Sequence, residues 1–530
     1  MTEAQHPAQF NFGADVVDHL ARTQDKPALI WASADGRERR FNFSDIARLS
    51  AQLASTLASA GVTKGDRVIV MLPRIPEWQI AMVACLKLGA VAVPCIEMLT
   101  TKDLAYRVTQ AGAKAAITTT AQTGKFADLL DGVPVLVAVG EMEGWRTFDK
   151  LVAGGDAAFT PVAVAAEDPA LLYFTSGSTG QPKGVLHAAR GLYHWRHSAT
   201  EWLGLTSDDL IWCTADTGWS KAGTSILFGP WSCGACVLFY DGPFDATQRL
   251  RLIERYGVTV FCASSTEILR LLDLPIGDFD IPRLRRTVSA GEALSERAVG
   301  RWREATGRPV AEAYGQTESL MSIGYPQDVA YRPGSMGVAL AHNDVAVIDD
   351  DGRILPAGDV GELAIRAPNP QLMLGYWQDR ERTAECYLDG PDGRWFRTGD
   401  RGERDADGFF YHRGRRDDVI NSSGYRIGPA EVEDVLLAHP AVAETAVVGA
   451  PDPARGEIVV AFVVLRGDRA PDEAMARGLQ DFVKTQTAPY KYPRVVRFVT
   501  ELPKTPTGKI QRSVLRDRIR AENAAQADRA

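Results

Sequence analysis

The segment that most constrains this chain is residues 171–190, which read LLYFTSGSTGQPKGVLHAAR. Its four apolar residues Leu171–Phe174 predict a short buried strand, and a run of glycines and hydroxyl residues follows. Glycine lets the backbone turn sharply and approach a ligand closely, because it has no Cβ atom. Backbone N–H groups, hydroxyls and an ammonium together can surround a polyphosphate. The predicted phosphate-binding residues are Thr175, Ser176, Gly177, Ser178, Thr179, Gly180 and Lys183.

This segment does not have the pattern of a Walker A loop. Lys183 follows Pro182 instead of glycine, and Gly184 stands where that loop carries Ser or Thr. From the glycines alone, a flexible connection between two elements remains an open alternative. Motifs further along the chain are needed to favour phosphate binding.

Size and charge restrict the class of protein. A chain of 530 residues is too long for one core, and its length predicts two to four domains. The net charge of -8 argues against a nucleic-acid-binding surface, so an anionic ligand would be held by local positive groups. The start of the chain lacks the pattern of a secretory signal, and the seven cysteines are scattered and odd in number. These features predict reduced thiols and a cytoplasmic location.

One uncharged run, residues 222–240, is long enough to be tested as a membrane span. Its glycines and Pro230 favour a buried turn between strands over a lipid-facing helix, so no membrane span is predicted. Cys233 and Cys236 form a CxxC pattern, but a zinc site would need two further ligands. Core packing is expected for them, and a structural role is expected for His194 and His197.

The order of elements predicts an α/β fold. Between residues 44 and 139, helical patterns alternate with short apolar strands, which indicates parallel-rich sheets covered by helices on both faces. The charges of Arg413, Arg415, Arg416, Asp417 and Asp418 mark the best candidate for a domain boundary. A smaller α/β unit is predicted after it.

Further motifs carry groups that could serve a nucleotide. The segment Glu312–Glu318, EAYGQTE, places an aromatic ring, an amide, a hydroxyl and a carboxylate together. The segment 502–512, LPKTPTGKIQR, places Lys509 after a glycine, where its ammonium could reach a neighbouring site. Taken alone, the first could be an ordinary polar loop and the second a solvated basic tail.

Together these motifs resemble the adenylate-forming superfamily of acyl-CoA synthetases, luciferases and peptide-synthetase adenylation domains. The matching stretches are YFTSGSTGQPKG, EAYGQTE, RTGD, GRRDDVINSSGYRIG and PKTPTGK, in the order of the family. TADTGWSKAG, GPWSCGACV, PDPARGE and APYKYPR resemble its medium-chain and aromatic-acid CoA ligase branch. The resemblance implies a large N-terminal domain, residues 1–414, a hinge at 415–418 and a mobile C-terminal lid, residues 419–530.

The resemblance also implies a reaction in two steps. A carboxylate would attack the α-phosphate of ATP to give an acyl-adenylate and pyrophosphate, and the thiol of coenzyme A would then displace AMP. Bringing an anion to a polyanion requires positioning and charge neutralisation. The implied partners are therefore ATP, Mg²⁺, coenzyme A and a small carboxylic acid.

The resemblance implies that most of the site residues bind the nucleotide. Thr175–Lys183 would surround the β- and γ-phosphates, Lys509 and Thr317 would contact the α-phosphate, and Glu318 would bind Mg²⁺. Asp400 and Arg415 would bind the ribose. The remaining residues implied around the adenine and phosphates are Gly291, Glu292, Ala293, Glu312, Ala313, Tyr314, Gly315 and Gln316.

The coenzyme A and acyl sites are implied in the same way. Asp417 matches the hinge position, and the residues implied for coenzyme A are Ser423, Gly424, Tyr425, Arg426, Arg455 and Lys491. Gly315 stands where acetate-activating relatives carry a bulky aromatic residue, which implies room for a longer or aromatic acid. Trp219 resembles an aromatic residue beside the acyl tunnel, whereas Trp231 or Phe228 closing the pocket remains an alternative.

Other functions stay open from the sequence. A short-chain CoA ligase and an adenylating enzyme that uses another thiol acceptor are the enzyme alternatives. A catalytically silent nucleotide-binding protein is disfavoured because Lys183, Glu318 and Lys509 are all present. The sequence leaves open the preferred acid, a monomeric or homo-oligomeric state, and regulation of Lys509 by a protein acetyltransferase, which would remove its charge.

Overall fold

The computed structural model describes residues 6–175, 182–291, 294–415, 418, 420–422, 425–452, 455–467, 469–487, 491–504 and 510–527. The chain divides into two compact units. The first comprises Met1–Val345 and Ile365–Tyr387, and the second comprises Ala346–Ala364 and Leu388–Ala530. The hinge predicted at residues 415–418 concerns movement of a lid and stays a prediction.

One sheet of the first unit carries the glycine-rich segment. Its strands lie in the order Gly375–Tyr376, Lys183–Ala188, Pro169–Thr175, Val91–Pro94, Arg67–Met71, Ala113–Thr119, Val135–Val139 and Arg146–Thr147. The pairs from Pro169–Thr175 to Arg146–Thr147 are parallel, and the first three strands pair antiparallel.

The second sheet of this unit carries the segment EAYGQTE. Its strands lie in the order Gly337–Ala339, Leu320–Gly324, Val310–Gln316, Arg286–Ala290, Val260–Cys262, Leu210–Cys213, Cys236–Asp241, Pro27–Ser33 and Glu38–Asn42. The central pairs, from Val310–Gln316 to Pro27–Ser33, are parallel. The predicted parallel-rich α/β architecture is confirmed.

The helices of the first unit cover these sheets. The α-helices are His19–Thr23, Phe43–Ser59, Pro76–Lys87, Thr101–Ala111, Phe148–Gly154, Ala189–Glu201, Ser220–Ala222, Phe228–Ser232, Ala246–Tyr256, Ser265–Leu271, Glu296–Thr306 and Arg380–Glu385. π-Helical turns span Gly13–Asp18 and Gly223–Leu227, and 3₁₀-helical turns span Thr120–Gly132 and Ile276–Asp278. Helix Phe43–Ser59 begins at a capping box between Asn42 and Asp45, which satisfies N–H groups at its first turn.

The uncharged run differs from its prediction. Residues 220–232 form a helical segment, where the sequence predicted a turn between strands. Its glycines are accommodated by close packing, since a Cβ on Gly229 would lie 2.2 Å from the Thr224 carbonyl oxygen. Phe228 and Trp231 are fully buried. Among the described residues, no helix is long and apolar enough to cross a membrane.

The second unit contains two groups of strands. In its first part the order is Val345–Ile348, Val360–Arg366, Gly393–Arg404 and Phe409–Arg415, and Tyr387–Gly390 pairs with Gly393–Arg404. In its second part the order is Tyr425–Ile427, Ile420–Ser422, Gly456–Leu465 and Val442–Asp452, and Val495–Phe498 pairs with Gly456–Leu465. The helices of the second unit are Pro429–Ala438, Glu473–Gln486 and Arg512–Ala527.

The second sheet of this unit is buried on both faces. Val432, Leu436 and Leu479 pack with one face, and Leu515 and Ile519 pack with the other. The predicted smaller α/β unit is confirmed. The last helix spans Arg512–Ala527.

Candidate functional site

The glycine-rich segment connects two antiparallel strands of the first unit. Thr175 at the end of strand Pro169–Thr175 lies opposite Lys183 at the start of strand Lys183–Ala188. The hydroxyl oxygen of Thr175 is buried and has no hydrogen-bond partner among the described residues. Such a group is available to a ligand. The predicted phosphate residues Ser176, Gly177, Ser178, Thr179 and Gly180 lie outside the described residues.

The side chains of Lys183, Glu318 and Tyr376 each contact the other two. Lys183 Nζ lies 2.7 Å from Glu318 Oε1 and donates to Tyr376 Oη at 2.7 Å. The Tyr376 hydroxyl in turn donates to Glu318 Oε1 at 2.9 Å. The sequence motifs predicted Lys183 and Glu318, but they did not identify Tyr376, which reaches the site because strand Gly375–Tyr376 pairs with Lys183–Ala188.

This arrangement keeps Glu318 ionised. Burial by itself would raise the pKa of the Glu318 carboxyl. The charge of Lys183 and the hydrogen bonds from Lys183 and Tyr376 outweigh burial, so the pKa lies below its usual value. A buried carboxylate beside an ammonium is suited to exchange that partner for a hard cation, because such cations prefer oxygen ligands.

The turn that carries Thr317 and Glu318 is held by several neighbours. It joins the antiparallel strands Val310–Gln316 and Leu320–Gly324. His187 Nε2 donates to the Thr317 carbonyl oxygen at 2.7 Å, and Ser220 Oγ lies 3.1 Å from Thr317 Oγ1. Burial lowers the pKa of His187 to about 4, so this imidazole is neutral near pH 7 and carries its proton on Nε2.

The carboxyl ends of the parallel strands form the edge on which this turn lies. Lys221 Nζ donates to the carbonyl oxygens of Ala263 and Ala290, at 3.3 and 3.2 Å. Gly291 follows with a φ of 97°, a conformation that favours glycine. In open α/β sheets, ligands bind at this edge. The predicted adenine residues Glu292 and Ala293 lie outside the described residues.

Glu312 lies on the adjacent strand and is mostly buried. Its Oε1 accepts the backbone N–H of Leu294 at 2.8 Å. Burial raises the pKa of Glu312 to about 7, against the smaller opposing effect of that hydrogen bond. The predicted neighbours Ala313, Tyr314, Gly315 and Gln316 occupy the same strand, Val310–Gln316.

The two predicted acyl residues lie on segments that the structure brings together. Trp219 is followed by Ser220, whose hydroxyl contacts Thr317, two residues after Gly315. Trp219 packs beside a cluster that includes Cys95, Ile96 and Leu99. The alternative residues Phe228 and Trp231 make core contacts: the Phe228 ring stacks on Trp195 at 4.8 Å, and Trp231 Nε1 donates to the Ala28 carbonyl oxygen at 3.0 Å.

In the second unit, the two predicted ribose residues lie opposite each other. Asp400 on strand Gly393–Arg404 is the register partner of Arg415 on strand Phe409–Arg415. Asp400 is buried, and its Oδ1 lies 3.8 Å from His412 Nε2. The backbone N–H of Asp400 donates to Thr398 Oγ1 at 3.2 Å. The Arg415 side chain lies outside the described atoms.

The predicted coenzyme A residues are described only in part. Tyr425 and Arg426 lie on strand Tyr425–Ile427, opposite Ser422 and Asn421. Lys491 Nζ forms an ion pair with Glu431 at 2.6 Å, and Arg455 is an exposed residue after strand Val442–Asp452. Ser423, Gly424, the hinge residue Asp417 and Lys509 lie outside the described residues.

Comparisons with known proteins agree with these motifs. Residues 16–377 match the model of the AMP-binding enzyme family, and residues 431–509 match that of the AMP-binding enzyme C-terminal domain. The human mitochondrial acyl-coenzyme A synthetase ACSM5 is 39% identical, with 96% of this chain and 90% of the relative covered. An uncharacterized acyl–CoA ligase, YtcI of Bacillus subtilis strain 168, is 38% identical over 97% of this chain and 96% of its own.

Solved structures show the same fold. The crystal structure of the anthranilate CoA ligase AuaEII in complex with anthranoyl-AMP superposes with a TM-score of 0.88. It is 30% identical and covers 99% of this chain and 100% of its own.

Proposed function

The chain belongs to the AMP-binding enzyme family, and we propose that it acts as an ATP-dependent acid–CoA ligase on medium-chain or aromatic carboxylates. It is an AMP-forming acyl-CoA synthetase. The observation that carries the proposal is the contact of Lys183, Glu318 and Tyr376 at the end of the glycine-rich connection. The medium-chain synthetase and the anthranilate ligase among its relatives support the substrate class.

In the first step a carboxylate oxygen attacks the α-phosphorus of ATP, and pyrophosphate leaves. Both reactants are anions, so the site must position them and neutralise charge. We assign the β- and γ-phosphates to Thr175–Lys183, where the unpartnered Thr175 hydroxyl and the Lys183 ammonium fit phosphate oxygens. Thr317 and Lys509 are assigned to the α-phosphate.

Glu318 fits the role of a Mg²⁺ ligand, because its buried carboxylate is ionised and is held in place by Tyr376. A bound Mg²⁺ ion would supply charge neutralisation on the phosphates. Lys183 now contacts Glu318, so binding of a nucleotide is expected to move the ammonium from the carboxylate to phosphate oxygens.

In the second step the sulfur of coenzyme A attacks the acyl carbonyl carbon, and AMP leaves. We assign the ribose to Asp400 and Arg415, since carboxylates accept from hydroxyls and guanidinium groups donate. Residues 423–426 are assigned to coenzyme A, together with Arg455. Lys491 is assigned with them, although its ammonium is paired with Glu431 in this structure.

The remaining assignments follow from the family. Residues 415–418 would form the hinge of a mobile lid, residues 419–530. A cytoplasmic location, a monomeric or homo-oligomeric state, and acetylation of Lys509 by a protein acetyltransferase belong to this proposal as well. Acetylation would remove the Lys509 charge.

The test is pyrophosphate release with ATP and Mg²⁺ across acetate, butyrate, hexanoate, octanoate and benzoate, each with and without coenzyme A. Turnover that requires coenzyme A and is fastest with the longer or aromatic acids supports the proposal. A preference for acetate would make the enzyme a short-chain ligase. A single burst unaffected by coenzyme A would indicate another acyl acceptor.

A further inference from the structure

Four of the eight histidines of the chain lie in one row within the first unit. Adjacent ring centroids are separated by 5.7 Å for His6 and His194, 5.3 Å for His194 and His197, and 4.7 Å for His197 and His342. His194 is buried, and neither of its ring nitrogens has a hydrogen-bond partner among the described residues. Unpaired buried polar groups are costly, so such a cluster calls for an explanation.

Three side chains of this region converge on a small volume. Helix Ala189–Glu201 places His197 and Glu201 four residues apart, on one face. His342 lies in the segment after strand Gly337–Ala339. Glu201 Oε1 lies 3.9 Å from His197 Nδ1 and 3.1 Å from His342 Nδ1, and the three ligand atoms all lie within 4.8 Å of one another.

Although the sequence predicts a structural role for His197, we propose that His197, Glu201 and His342 form a binding site for a divalent transition-metal ion of the zinc class. Two imidazole nitrogens and one carboxylate oxygen suit Zn²⁺, whereas Mg²⁺ and Ca²⁺ prefer oxygen ligands. Zinc–ligand distances of about 2.0–2.2 Å in tetrahedral geometry place two ligand atoms about 3.3–3.6 Å apart. The Glu201–His342 separation of 3.1 Å is close to this range, whereas the other separations, 3.9 Å and up to 4.8 Å, require the side chains to close by about 1 Å. Three protein ligands leave a position for water.

The hydrogen bonds of His342 support a cation at this place. Gln371 Nε2 donates to the carbonyl oxygens of Ser319 and Met321, at 2.6 and 2.8 Å, which fixes the orientation of its amide. Gln371 Oε1 therefore accepts from His342 Nε2 at 2.7 Å. In the neutral tautomer this leaves the Nδ1 lone pair facing the Glu201 carboxylate oxygen. A cation between the two atoms, a proton or a metal ion, removes that conflict.

The same hydrogen bonds give the ligand set its outer support. Metal-binding histidines commonly donate their second ring N–H to a carbonyl or carboxylate oxygen, which orients the ring. For His342, the acceptor of this second hydrogen bond is the side-chain oxygen of Gln371, and Gln371 is fully buried. It also connects the proposed site to Ser319, the residue after Glu318, so a metal ion here would stabilise the turn that carries the proposed Mg²⁺ ligand. The inference does not depend on the ligase activity.

The experiment is a Zn²⁺ titration of the full chain after treatment with a chelator, in excess Mg²⁺ so that oxygen-rich sites are filled. A competing chromophoric chelator reports affinity, and the visible bands of bound Co²⁺ report nitrogen ligation. We expect one ion per chain in the wild type. The variants His197→Gln and Glu201→Gln should lose about 100-fold or more in affinity, above the 10–100-fold typical of a lost outer partner.

The controls separate ligand loss from misfolding. Glu201→Gln keeps an oxygen that can accept the Ala341 backbone N–H, which now bonds to Glu201 at 2.8 Å. His19→Asn changes an exposed histidine outside the cluster, so this variant should bind Zn²⁺ with the affinity of the wild type. Zn²⁺ should also raise the melting temperature of the wild type and of His19→Asn, but not of His197→Gln. Absence of binding in the wild type, or equal affinity in all four proteins, would overturn the proposal.

Discussion

Gly315 and Leu320 approach each other so closely that a Cβ atom on residue 315 would lie 2.0 Å from the Leu320 carbonyl oxygen. The two residues belong to the hairpin that carries Thr317 and Glu318, where the register shifts between Tyr314 and Gly315. Leu320 has a φ of 56°, which few residues with side chains adopt. The backbone packing of this turn therefore requires glycine at position 315, independently of the predicted role of Gly315 in the acyl pocket.

We expect Gly315→Ala to lower the free energy of unfolding by about 1–3 kcal/mol or more, because the added methyl overlaps a backbone carbonyl. Urea unfolding measures it. Gly300→Ala is the control, since a Cβ on that helical glycine meets nothing within 4 Å and alanine favours the helix. Equal stability of Gly315→Ala and the wild type would contradict this prediction. A bulky substitution at 315 thus cannot test acyl chain length, and Trp219 is the better position.

We expect Glu318→Gln to slow acyl-adenylate formation by about 100-fold or more and to raise the Mg²⁺ concentration required, because the amide cannot neutralise a cation. Pyrophosphate release at varied Mg²⁺ concentration measures both. Glu77→Gln is the matched control, since Glu77 is equally buried and pairs with Arg39 at 2.6 Å. An unchanged Mg²⁺ requirement, or the same loss of activity in Glu77→Gln, would remove Glu318 from the metal site.

The sequence motifs predicted both charged members of this site but not the residue that joins them. Lys183 and Glu318 stand in short segments whose composition suits phosphate and metal. Tyr376 lies 58 residues after Glu318 in no recognisable motif, and only the antiparallel pairing of Tyr376 with Val185 brings it there. Long-range strand pairing of this kind leaves no local signal. His187 lies within the segment 171–190, but the spacing of residues in the sequence does not predict its hydrogen bond to the Thr317 carbonyl oxygen.

Element type was predictable where hydrophobic period and end signals agreed. Helix Pro76–Lys87 carries clear end signals in the sequence, because Pro76 occupies its first position and Gly89 follows its end. In the run 222–240, the turn predicted over residues 222–232 is wrong, because the glycines and Pro230 there resemble turn residues although the segment is helical. Its helix is stabilised by tertiary packing, with Phe228 and Trp231 in the core, and such packing overrides local propensity.

The mostly buried Glu312 predicts a pH-dependent difference in stability. Its pKa of about 7 exceeds that of an unfolded glutamate, so the folded state holds the proton more tightly. Its stabilising contribution is fully present below about pH 4.5 and is lost as the pH rises through about 7. Relative to Glu312→Gln, the wild type should lose about 2–3 kcal/mol of unfolding free energy between about pH 5 and about pH 8. Urea unfolding of both proteins measures this, and a pH-independent difference would contradict it.

Lys509 should act in only one half-reaction. Adenylation brings a carboxylate to the α-phosphate, and an added ammonium lowers the cost of that approach. The acyl-adenylate already contains the new bond, so its reaction with coenzyme A needs this charge much less. We expect Lys509→Ala to slow pyrophosphate release from ATP and acid by about 100-fold or more, and to leave thioester formation from supplied acyl-AMP within a few-fold. Lys504→Ala is the control, a lysine of the same motif that pairs with Glu444 at 2.6 Å. Equal loss in both half-reactions would contradict the role and indicate that Lys509 supports the fold or the thioester step.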